Sequence, residues 1–298
     1  MGSTAVVECV PNFSEGRRPE VMEQIVAAVK ETPGVKLLDW SHDANHNRMV
    51  VTFVASPDAA VNGAVNGAKK AVELIDLNRH TGEHPRIGAV DVVPFVPVSG
   101  VTLEECAKLA HACGKRMHDE LQLPVYYYEA AAMHPSRKNL PDVRNIGYEK
   151  LKEEVQQKER HPDVGEPKLH PTAGAVVVGA RPFLVAFNVN LATADVKIAK
   201  AIANRVREAK GGLKNVKALG MELKDRGLAQ VSMNLVNCDE TPIYRVIELV
   251  KAEARRYGVS AVETEIVGMV PLKYLVETAQ YYMQLADFKT EQILDTHL

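Results

Sequence analysis

The same order of secondary-structure patterns occurs twice along this chain, and it constrains the fold more than any other feature of the sequence. Residues 5–98 and residues 183–268 each predict a strand, a helix, two strands, a helix and a final strand. This is the order of the split βαβ, or ferredoxin-like, motif, in which a mixed, largely antiparallel sheet carries helices on one face. We therefore expect an α+β fold of two ferredoxin-like subdomains, residues 1–180 and 181–298, with a ligand groove between them.

Composition excludes several classes of protein. The 298 residues are 46% hydrophobic and 25% charged, with a net charge of -2, so no global field favours nucleic acid or an anionic membrane. We find no apolar run near the ~20 residues of a membrane span and no signal-peptide pattern, and we expect a cytoplasmic protein. The four cysteines form no Cys-x-x-Cys pair, which predicts reduced, mostly buried thiols.

The densest group of chemically active side chains lies in residues 79–88, which contain two histidines, two arginines and a glutamate. Pro85 cannot continue a helix and biases His84 towards an extended conformation, while Gly82 and Gly88 permit tight turns. The stretch therefore predicts a shaped loop, a setting in which side chains converge on a ligand.

His80 and His84 are both candidates for acid–base chemistry, because an imidazole near its reference pKa accepts and donates protons near pH 7. Glu83, between them, is able to orient an imidazole. Arg79 and Arg86 are suited to bidentate binding of carboxylates, and pairing with a structural acid is an equal alternative.

Two spacings, His80-x3-His84 and His42-x3-His46, also resemble pairs of metal ligands. Such a spacing brings two imidazoles together on a helix, and the glycine, proline and turn-forming residues inside these stretches disfavour a helix. We therefore predict no bound metal.

Further polar side chains lie next to predicted strands. Asp39 is at the end of one strand, and Asn47 and Arg48 lie in the polar turn predicted at residues 41–48. Asn12 follows the first strand. These residues are able to hydrogen-bond a substrate, but turn chemistry alone also explains them.

The middle of the chain, residues 134–170, is polar and includes a charged stretch that predicts a helix over residues 148–160. This segment is a candidate domain boundary or binding lid. The Gly/Pro-rich residues 165–174 overlap its end, where a ligand bridging the two halves would lie. A plain linker is the alternative.

Together, these stretches resemble the formiminotransferase family over nearly the whole chain. The motifs that carry the resemblance are Val7-Glu-Cys-Val-Pro-Asn-Phe-Ser-Glu-Gly16, Leu37-Leu-Asp39, Asn47-Arg48, Arg79-His80, Gly82-Glu-His-Pro-Arg86, Gly88-Ala89 with Asp91, Pro94-Phe95 with Pro97-Val98, Phe187-Asn-Val-Asn190 and Val267-Gly-Met-Val-Pro-Leu-Lys273. The resemblance implies two similar α/β subdomains around a folate-binding groove. It also implies transfer of the formimino group of N-formimino-L-glutamate to N5 of tetrahydrofolate, a one-carbon step of histidine degradation.

The resemblance assigns roles residue by residue. The catalytic histidine of the family falls on His84. The supporting or substrate-binding positions are Asp39, Asn47, Arg48, His80, Glu83, Arg86, Asn12, Asn188 and Asn190. The folate-binding positions are Gly165, Glu166, Pro167, Lys168, Leu169, His170, Pro171, Thr172, Ala173 and Gly174. Ser41 stands where the mammalian pattern has a second acid, so no acidic role is assigned there.

The partners implied by the resemblance are small molecules. Tetrahydrofolate is the expected co-substrate, formiminoglutamate or glutamate is the other substrate, and no metal, nucleic acid or membrane is involved. The family tendency implies a homodimer. The chain ends at Leu298, and we expect the cyclodeaminase of the bifunctional relatives to be a separate protein.

We interpret the reaction as attack of N5 on the amidine carbon, followed by collapse of a tetrahedral centre that expels a poor amine leaving group. His84 is hypothesised to remove the N5 proton and to return it to the glutamate nitrogen. Arg86 or Arg48 would hold substrate carboxylates. Three alternatives stay open: formyl transfer between 5-formyltetrahydrofolate and glutamate at the same site, a metal-dependent hydrolase built on the histidine pairs, and a non-catalytic folate-binding module.

Overall fold

A computed structural model describes residues 5–83 and 85–297, which form two compact units, Met1–Pro182 and Phe183–Leu298. Each unit combines helices with a β-sheet of its own, so the predicted α+β class is confirmed. His84, the predicted catalytic residue, lies outside the described residues.

The N-terminal unit has a seven-stranded sheet. Its strands are β1 (Val6–Cys9), β2 (Asn12–Phe13), β3 (Val35–Asp43), β4 (Arg48–Ala55), β5 (Val90–Ser99), β6 (Val125–Glu129) and β7 (Val176–Ala180). Its α-helices are α1 (Pro19–Lys30), α2 (Pro57–Leu74), α3 (Leu103–Leu121), α4 (Leu140–Arg144) and α5 (Tyr148–Glu154).

This sheet is antiparallel on one side and parallel on the other. β3 pairs with β4, β4 pairs with β1 and β2, and these two short strands also pair with β5, all antiparallel. β7 is then parallel to both β5 and β6. The element order predicted for residues 5–98 is confirmed. Two further strands, β6 and β7, extend the sheet beyond the predicted ferredoxin-like unit, and the helix α3 precedes them.

Apolar side chains cover both faces of the central strands. On one face α1, α2 and α3 pack against the sheet around Phe13, Phe53 and Phe95, which are fully buried. On the other face a smaller cluster includes Tyr128 of β6 and Leu151 of α5. β5 is therefore buried on both faces from Val90 to Val96, as its continuous apolar run predicts.

The middle segment differs from its prediction. It lies inside the N-terminal unit, and its helix ends at Glu154 rather than at residue 160. The backbone carbonyl of Arg160 accepts a hydrogen bond of 2.6 Å from the Tyr126 hydroxyl, which holds the chain against β6. A further short helix, α4, precedes α5. Tertiary contacts with the sheet thus override the charged helical pattern.

The polar turn predicted at residues 41–48 is also shorter than expected. β3 continues to Asp43, because Ser41, His42 and Asp43 pair with β4 across the hairpin. This extension brings the tip of the hairpin to residues 44–47.

The C-terminal unit has a four-stranded antiparallel sheet in the order β11-β8-β10-β9. Its strands are β8 (Val185–Leu191), β9 (Val216–Leu223), β10 (Leu228–Leu235) and β11 (Ala261–Val267), and its helices are α6 (Val196–Val206), α7 (Ile243–Arg255) and α8 (Leu272–Met283). The predicted order from the first strand to the last is confirmed. The core lies between the sheet and α6 and α7, around Val189, Ile202 and Val250.

No helix in the described part of the chain is long and apolar enough to cross a membrane. The cysteines Cys9, Cys106, Cys113 and Cys238 are buried and free, as predicted.

Two glycines of α2 permit close packing of this helix. A Cβ atom at Gly67 would lie 2.7 Å from Cγ2 of Val29 in α1, and one at Gly63 would lie 3.1 Å from the Phe53 ring in β4. Both neighbours are fully buried, so neither has room to move. The repeated Val-Asn-Gly-Ala sequence of α2 is therefore explained by helix–helix and helix–sheet contact.

Replacing Gly67 by Ala is expected to destabilise the protein. Overpacking costs about 1–3 kcal/mol, which exceeds the gain of about 1 kcal/mol from the better helix propensity of Ala. Urea unfolding of Gly67→Ala measures the net loss. Lys69→Ala, at an exposed position of the same helix, is the control and should stay within about 0.5 kcal/mol of wild type. A Gly67→Ala protein of wild-type stability would contradict the packing argument.

Candidate active site

The described residues of the loop 79–88 are held against the β3–β4 hairpin by Asn47. The side chain of Asn47 accepts a hydrogen bond from the Gly16 N–H (2.9 Å) and donates one to the Thr81 carbonyl (2.9 Å). Its own carbonyl lies 2.9 Å from Nε2 of His80. Asn47 is buried and has a φ of 49°, in the left-handed region that Asn tolerates better than most residues. One residue thus joins three segments of the chain.

Close main-chain approaches fix the same arrangement. A Cβ atom at Gly82 would lie 2.3 Å from the His46 carbonyl oxygen, and one at Gly16 would lie 2.3 Å from that of Asp43. Only glycine allows the loop and the segment after β2 to pack this tightly on the hairpin. The backbone N–H of Glu83 donates to the Asn45 carbonyl at 3.3 Å. The residue just before His84 is therefore anchored by its backbone.

His80 is a half-buried anchor of the loop. Because a carbonyl only accepts hydrogen bonds, the contact with Asn47 assigns the ring proton to Nε2 of His80. Its Nδ1 is then an acceptor, which is buried and has no hydrogen-bond partner within residues 5–83 and 85–297. Burial lowers the pKa of His80, against the opposing effect of the Asn47 bond. The imidazole is therefore neutral near pH 7.

Two ion pairs fix the far end of the loop. Nη2 of Arg86 donates to the His80 carbonyl (2.9 Å) and pairs with Oε1 of Glu149 in α5 (2.7 Å). Asp91, which is 2% exposed, accepts from the Ile87 N–H at 2.9 Å and from Nη1 of Arg144 at 3.1 Å. Burial raises the pKa of Asp91, and Arg144 opposes this shift.

A second carboxylate holds the segment that precedes α1. Oε1 of Glu15, which is 3% exposed, accepts from the backbone N–H groups of Gly16, Arg17 and Arg18 at 2.9–3.0 Å. Its Oε2 pairs with the Arg18 guanidinium at 2.5 Å. The Ser14 hydroxyl donates to the Gly88 carbonyl at 2.7 Å. These bonds connect the end of the first motif to the end of the loop.

Three of the predicted site residues share one face of the sheet. Alternation along β4 places Arg48, Val50 and Thr52 on the face opposite α1 and α2. Asp39 pairs with Thr52, and therefore lies on the same face. Asn12 pairs with Val50 and therefore lies on this face as well. Its side-chain amide donates to the nearby Val10 carbonyl.

Positive charge is concentrated in the narrow cleft beside the hairpin. The cleft is lined by Ser14, His46, Asn47, Arg48, Arg86 and Asp91. Burial lowers the pKa of Arg48, and the nearby Arg144 acts in the same direction, while Asp91 and Asp43 oppose the shift. The space between these side chains is too small for a water molecule, so the cleft is a packed cluster of charges rather than an open pocket.

The predicted folate-binding segment is hydrogen-bonded to both ends of the loop. The carbonyls of Pro171 and Thr172 accept from the side chain of Asn78 (2.9 Å) and from the Leu77 N–H (2.8 Å). On the other side, the Ala173 carbonyl accepts from the Ala89 N–H at 2.9 Å. The plain-linker alternative does not explain this attachment.

A pocket of about 370 Å³ opens beside this segment. It is lined by His118, Gln122, Pro124, Glu166, Lys168, Leu169, His170 and Pro171. Nδ1 of His170 accepts from the Thr172 and Ala173 N–H groups at 3.3 and 3.0 Å, so its proton is on Nε2. Burial lowers the pKa of His170. The volume falls within the roughly 300–1,000 Å³ of small-molecule sites.

The last two predicted positions belong to the C-terminal unit. Asn188 and Asn190 of β8 donate to Glu265 (3.0 Å) and Glu263 (2.5 Å) of β11. Asn190 also accepts from Gln230 of β10 at 2.9 Å. Both asparagines alternate with core residues, so this polar network lies on the face of the sheet opposite α6 and α7.

The histidine pair of the hairpin is used for local structure. Nδ1 of His42 lies 3.1 Å from the Gly16 carbonyl, and Nδ1 of His46 lies 3.1 Å from Oδ1 of Asp43. Among the residues that the structure describes, no group of three or more His, Cys, Asp or Glu side chains is arranged to hold a metal ion.

Two family models match the chain. The formiminotransferase domain, N-terminal subdomain, matches residues 6–181, and the formiminotransferase domain matches residues 186–295. The chain belongs to the formiminotransferase family.

Relatives within the formiminotransferase family are similar over almost the whole chain. Glutamate formimidoyltransferase of Streptococcus pyogenes serotype M1 is 47% identical over 294 residues, which are 98% of each chain. That of Thermoplasma acidophilum is 49% identical, over 98% of this chain and 96% of its own. Formimidoyltransferase-cyclodeaminase of Mus musculus is 44% identical, over 93% of this chain and 52% of its own.

Sequence reasoning assigned no role to four residues of this candidate site: Glu15, Asp91, Arg144 and Glu149. Asp91 has a signal in the sequence, because it is a single charge within an apolar strand. Glu15 directly precedes α1, where a carboxylate binds free backbone N–H groups. Arg144 and Glu149 lie in the polar segment and have no comparable signal.

We expect substitutions of Asn47 to separate hydrogen bonding from backbone strain. Asn47→Gly removes the two side-chain bonds, at a cost of about 1–3 kcal/mol. Asn47→Ala removes the same bonds and adds about 1–2 kcal/mol, because a Cβ atom disfavours positive φ. Urea unfolding measures both. An Ala variant more stable than the Gly variant would show that the left-handed turn is not required.

The half-buried His170 predicts that the free energy of unfolding falls in weak acid. The folded-state pKa of His170 is below its ordinary value of 6.5, so the unfolded chain binds more protons as the pH falls through 6.5. His170→Asn keeps an acceptor near the position of Nδ1 and removes the titration. The free energy of unfolding should therefore fall less between pH 7 and 5 in this variant. An unchanged pH dependence would contradict the assignment.

Proposed function

We propose that this protein acts as a glutamate formimidoyltransferase, which transfers the formimino group of N-formimino-L-glutamate to N5 of tetrahydrofolate. The proposal is carried by the match to both formiminotransferase subdomains and by 47–49% identity to glutamate formimidoyltransferases over 98% of the chain. Tetrahydrofolate is a co-substrate in this reaction.

His84 is proposed as the group that moves the proton. As a bond forms between N5 and the amidine carbon, His84 takes the N5 proton; it returns this proton to the glutamate nitrogen as the carbon–nitrogen bond breaks. The tight support of the loop on the hairpin favours this role, because a group that transfers protons must be held in place. Arg48 would bind a substrate carboxylate, whereas both Nη atoms of Arg86 are engaged by Glu149 and the His80 carbonyl.

Folate binding is proposed for residues 165–174. The pocket beside them has the size of a small-molecule site, and it offers the Lys168 ammonium, the Glu166 carboxylate and the His170 ring to a polar heterocycle. The bonds from this segment to both ends of the loop would couple folate binding to the position of His84.

Asp39, Asn12, Asn188 and Asn190 remain proposed substrate-binding residues. The domain boundary at residues 180–181 is also a proposal, supported by compact units that meet at Pro182 and Phe183. We further propose a cytoplasmic homodimer. Light scattering of the purified protein tests the dimer.

The activity is tested by two parallel assays of the purified protein. One supplies tetrahydrofolate with formiminoglutamate, and the other supplies 5-formyltetrahydrofolate with glutamate. Turnover in the first assay supports the proposal. Turnover confined to the second assay would replace it with formyl transfer.

We expect His84→Ala to lower kcat by about 10²- to 10⁴-fold, the usual contribution of a general acid–base group. Binding of folate, measured by calorimetry, should be retained because the pocket beside residues 165–174 is unchanged. His297→Ala, at an exposed histidine in the other unit, is the matched control. Near-normal turnover of His84→Ala would remove His84 from the mechanism.

A further inference from the structure

The ion pair between Arg86 and Glu149 is asymmetric. The Arg86 side chain is 11% exposed and that of Glu149 is 67% exposed. The two carboxylate oxygens lie 2.7 Å from Nη2 and 3.4 Å from Nη1, so the pair is bidentate. A bidentate pair fixes the plane of the guanidinium as well as its position. Glu149 thus reaches in from the surface to hold a buried cation of the loop.

The same helical segment holds the chain on both sides of the loop. We call residues 140–154, which contain α4 and α5, the brace. Before the loop, Oδ1 of Asn78 accepts from the Tyr148 hydroxyl (3.1 Å) and from Nζ of Lys152 (3.0 Å). After the loop, Asp91 accepts from Arg144 (3.1 Å). The brace therefore contacts the chain before, within and after residues 79–88.

Arg86 transmits the contact with Glu149 to the start of the loop. Its Nη2 bonds to the His80 carbonyl as well as to Glu149, so one guanidinium joins both ends of the loop to α5. Burial acts to raise the pKa of Glu149, but bonds from its own backbone N–H and from Arg86 outweigh this effect and lower the pKa. The carboxylate is therefore ionised at neutral pH.

We propose that Glu149 is a positioning residue, whose carboxylate orients Arg86 and thereby holds the loop that carries His84 in a productive shape. This inference rests on the proposed function for its effect on turnover. It gives the polar segment 140–154 the role of supporting the loop, where the sequence indicated a domain boundary or a binding lid. Glu149 does not contact the reacting atoms in this scheme.

Glu149→Gln tests the proposal with little change of shape. The amide loses the charge and one acceptor, so Arg86 is left with a weaker partner. Because a misplacement of about 1 Å can cost about 10²-fold in rate, we expect kcat to fall by about 10- to 100-fold. We expect KM for both substrates to change by less than about threefold, since uniform binding is not removed.

Glu153→Gln is the matched control. Glu153 lies on the same helix and is exposed, and within the described residues it makes no ion pair. Its kinetic constants should match wild type. Urea unfolding should give the wild-type midpoint for Glu153→Gln and a lower one for Glu149→Gln, because only Glu149→Gln leaves the largely buried Arg86 guanidinium with a neutral partner.

Two further measurements separate positioning from general disturbance. Deuterium exchange of peptides covering residues 77–88 should be faster in Glu149→Gln than in Glu153→Gln. In a double-mutant cycle with Arg86→Lys, the effect of Glu149→Gln on kcat should be smaller than in the wild-type background, because the two residues act through each other.

Three results would overturn the proposal: wild-type kcat in Glu149→Gln, additive effects in the cycle, or a lower KM for formiminoglutamate at unchanged kcat. The last result would mean that Glu149 occupies a binding site for a substrate carboxylate. If the wild-type protein has no transferase activity, the proposed function fails, but deuterium exchange still decides whether Glu149 holds the loop.

Discussion

The candidate site depends on the left-handed turn at Asn47. This residue binds the segment after β2, the start of the loop and His80, and it does so from a conformation that places its side chain and its carbonyl towards different partners. Gly16 and Gly82 then allow main chain to pack on main chain. A loop held in this way loses little conformational entropy when substrate binds, which favours accurate placement of its side chains.

Buried charges complete the support at the cost of desolvation. Asp91 and Arg86 are nearly inaccessible to solvent, and each has an oppositely charged partner supplied by the brace. Burial of an unpaired charge is strongly unfavourable, so the loop and the brace stabilise each other. The guanidinium groups of Arg48 and Arg144 lie close enough to repel each other. The nearby carboxylate of Asp91 offsets this repulsion.

Most of the fold could be predicted from periodicity and from helix start signals. The capping-box pattern of Thr102 and Glu105 is readable in the sequence and begins α3, with both reciprocal bonds present. The hairpin extension to Asp43 and the brace could not be predicted, since cross-strand pairing and packing on β6 decide them rather than local propensity. In the site, the loop and Asn47 were visible as motifs. Glu149 was not, because its partner is 63 residues away and only the folded chain joins them.

Both histidines of the loop were candidates by residue type, the resemblance favoured His84, and the structure shows how His80 is used. The proton on Nε2 of His80 is engaged with the Asn47 carbonyl, and its Nδ1 is buried. A group that exchanges protons with a substrate needs access to it and a pKa near the working pH, whereas burial lowers the pKa of His80. His80 is thus suited to fixing the loop. We propose the acid–base role for His84, which follows the anchored backbone of Glu83 and precedes Arg86, the residue that the brace holds.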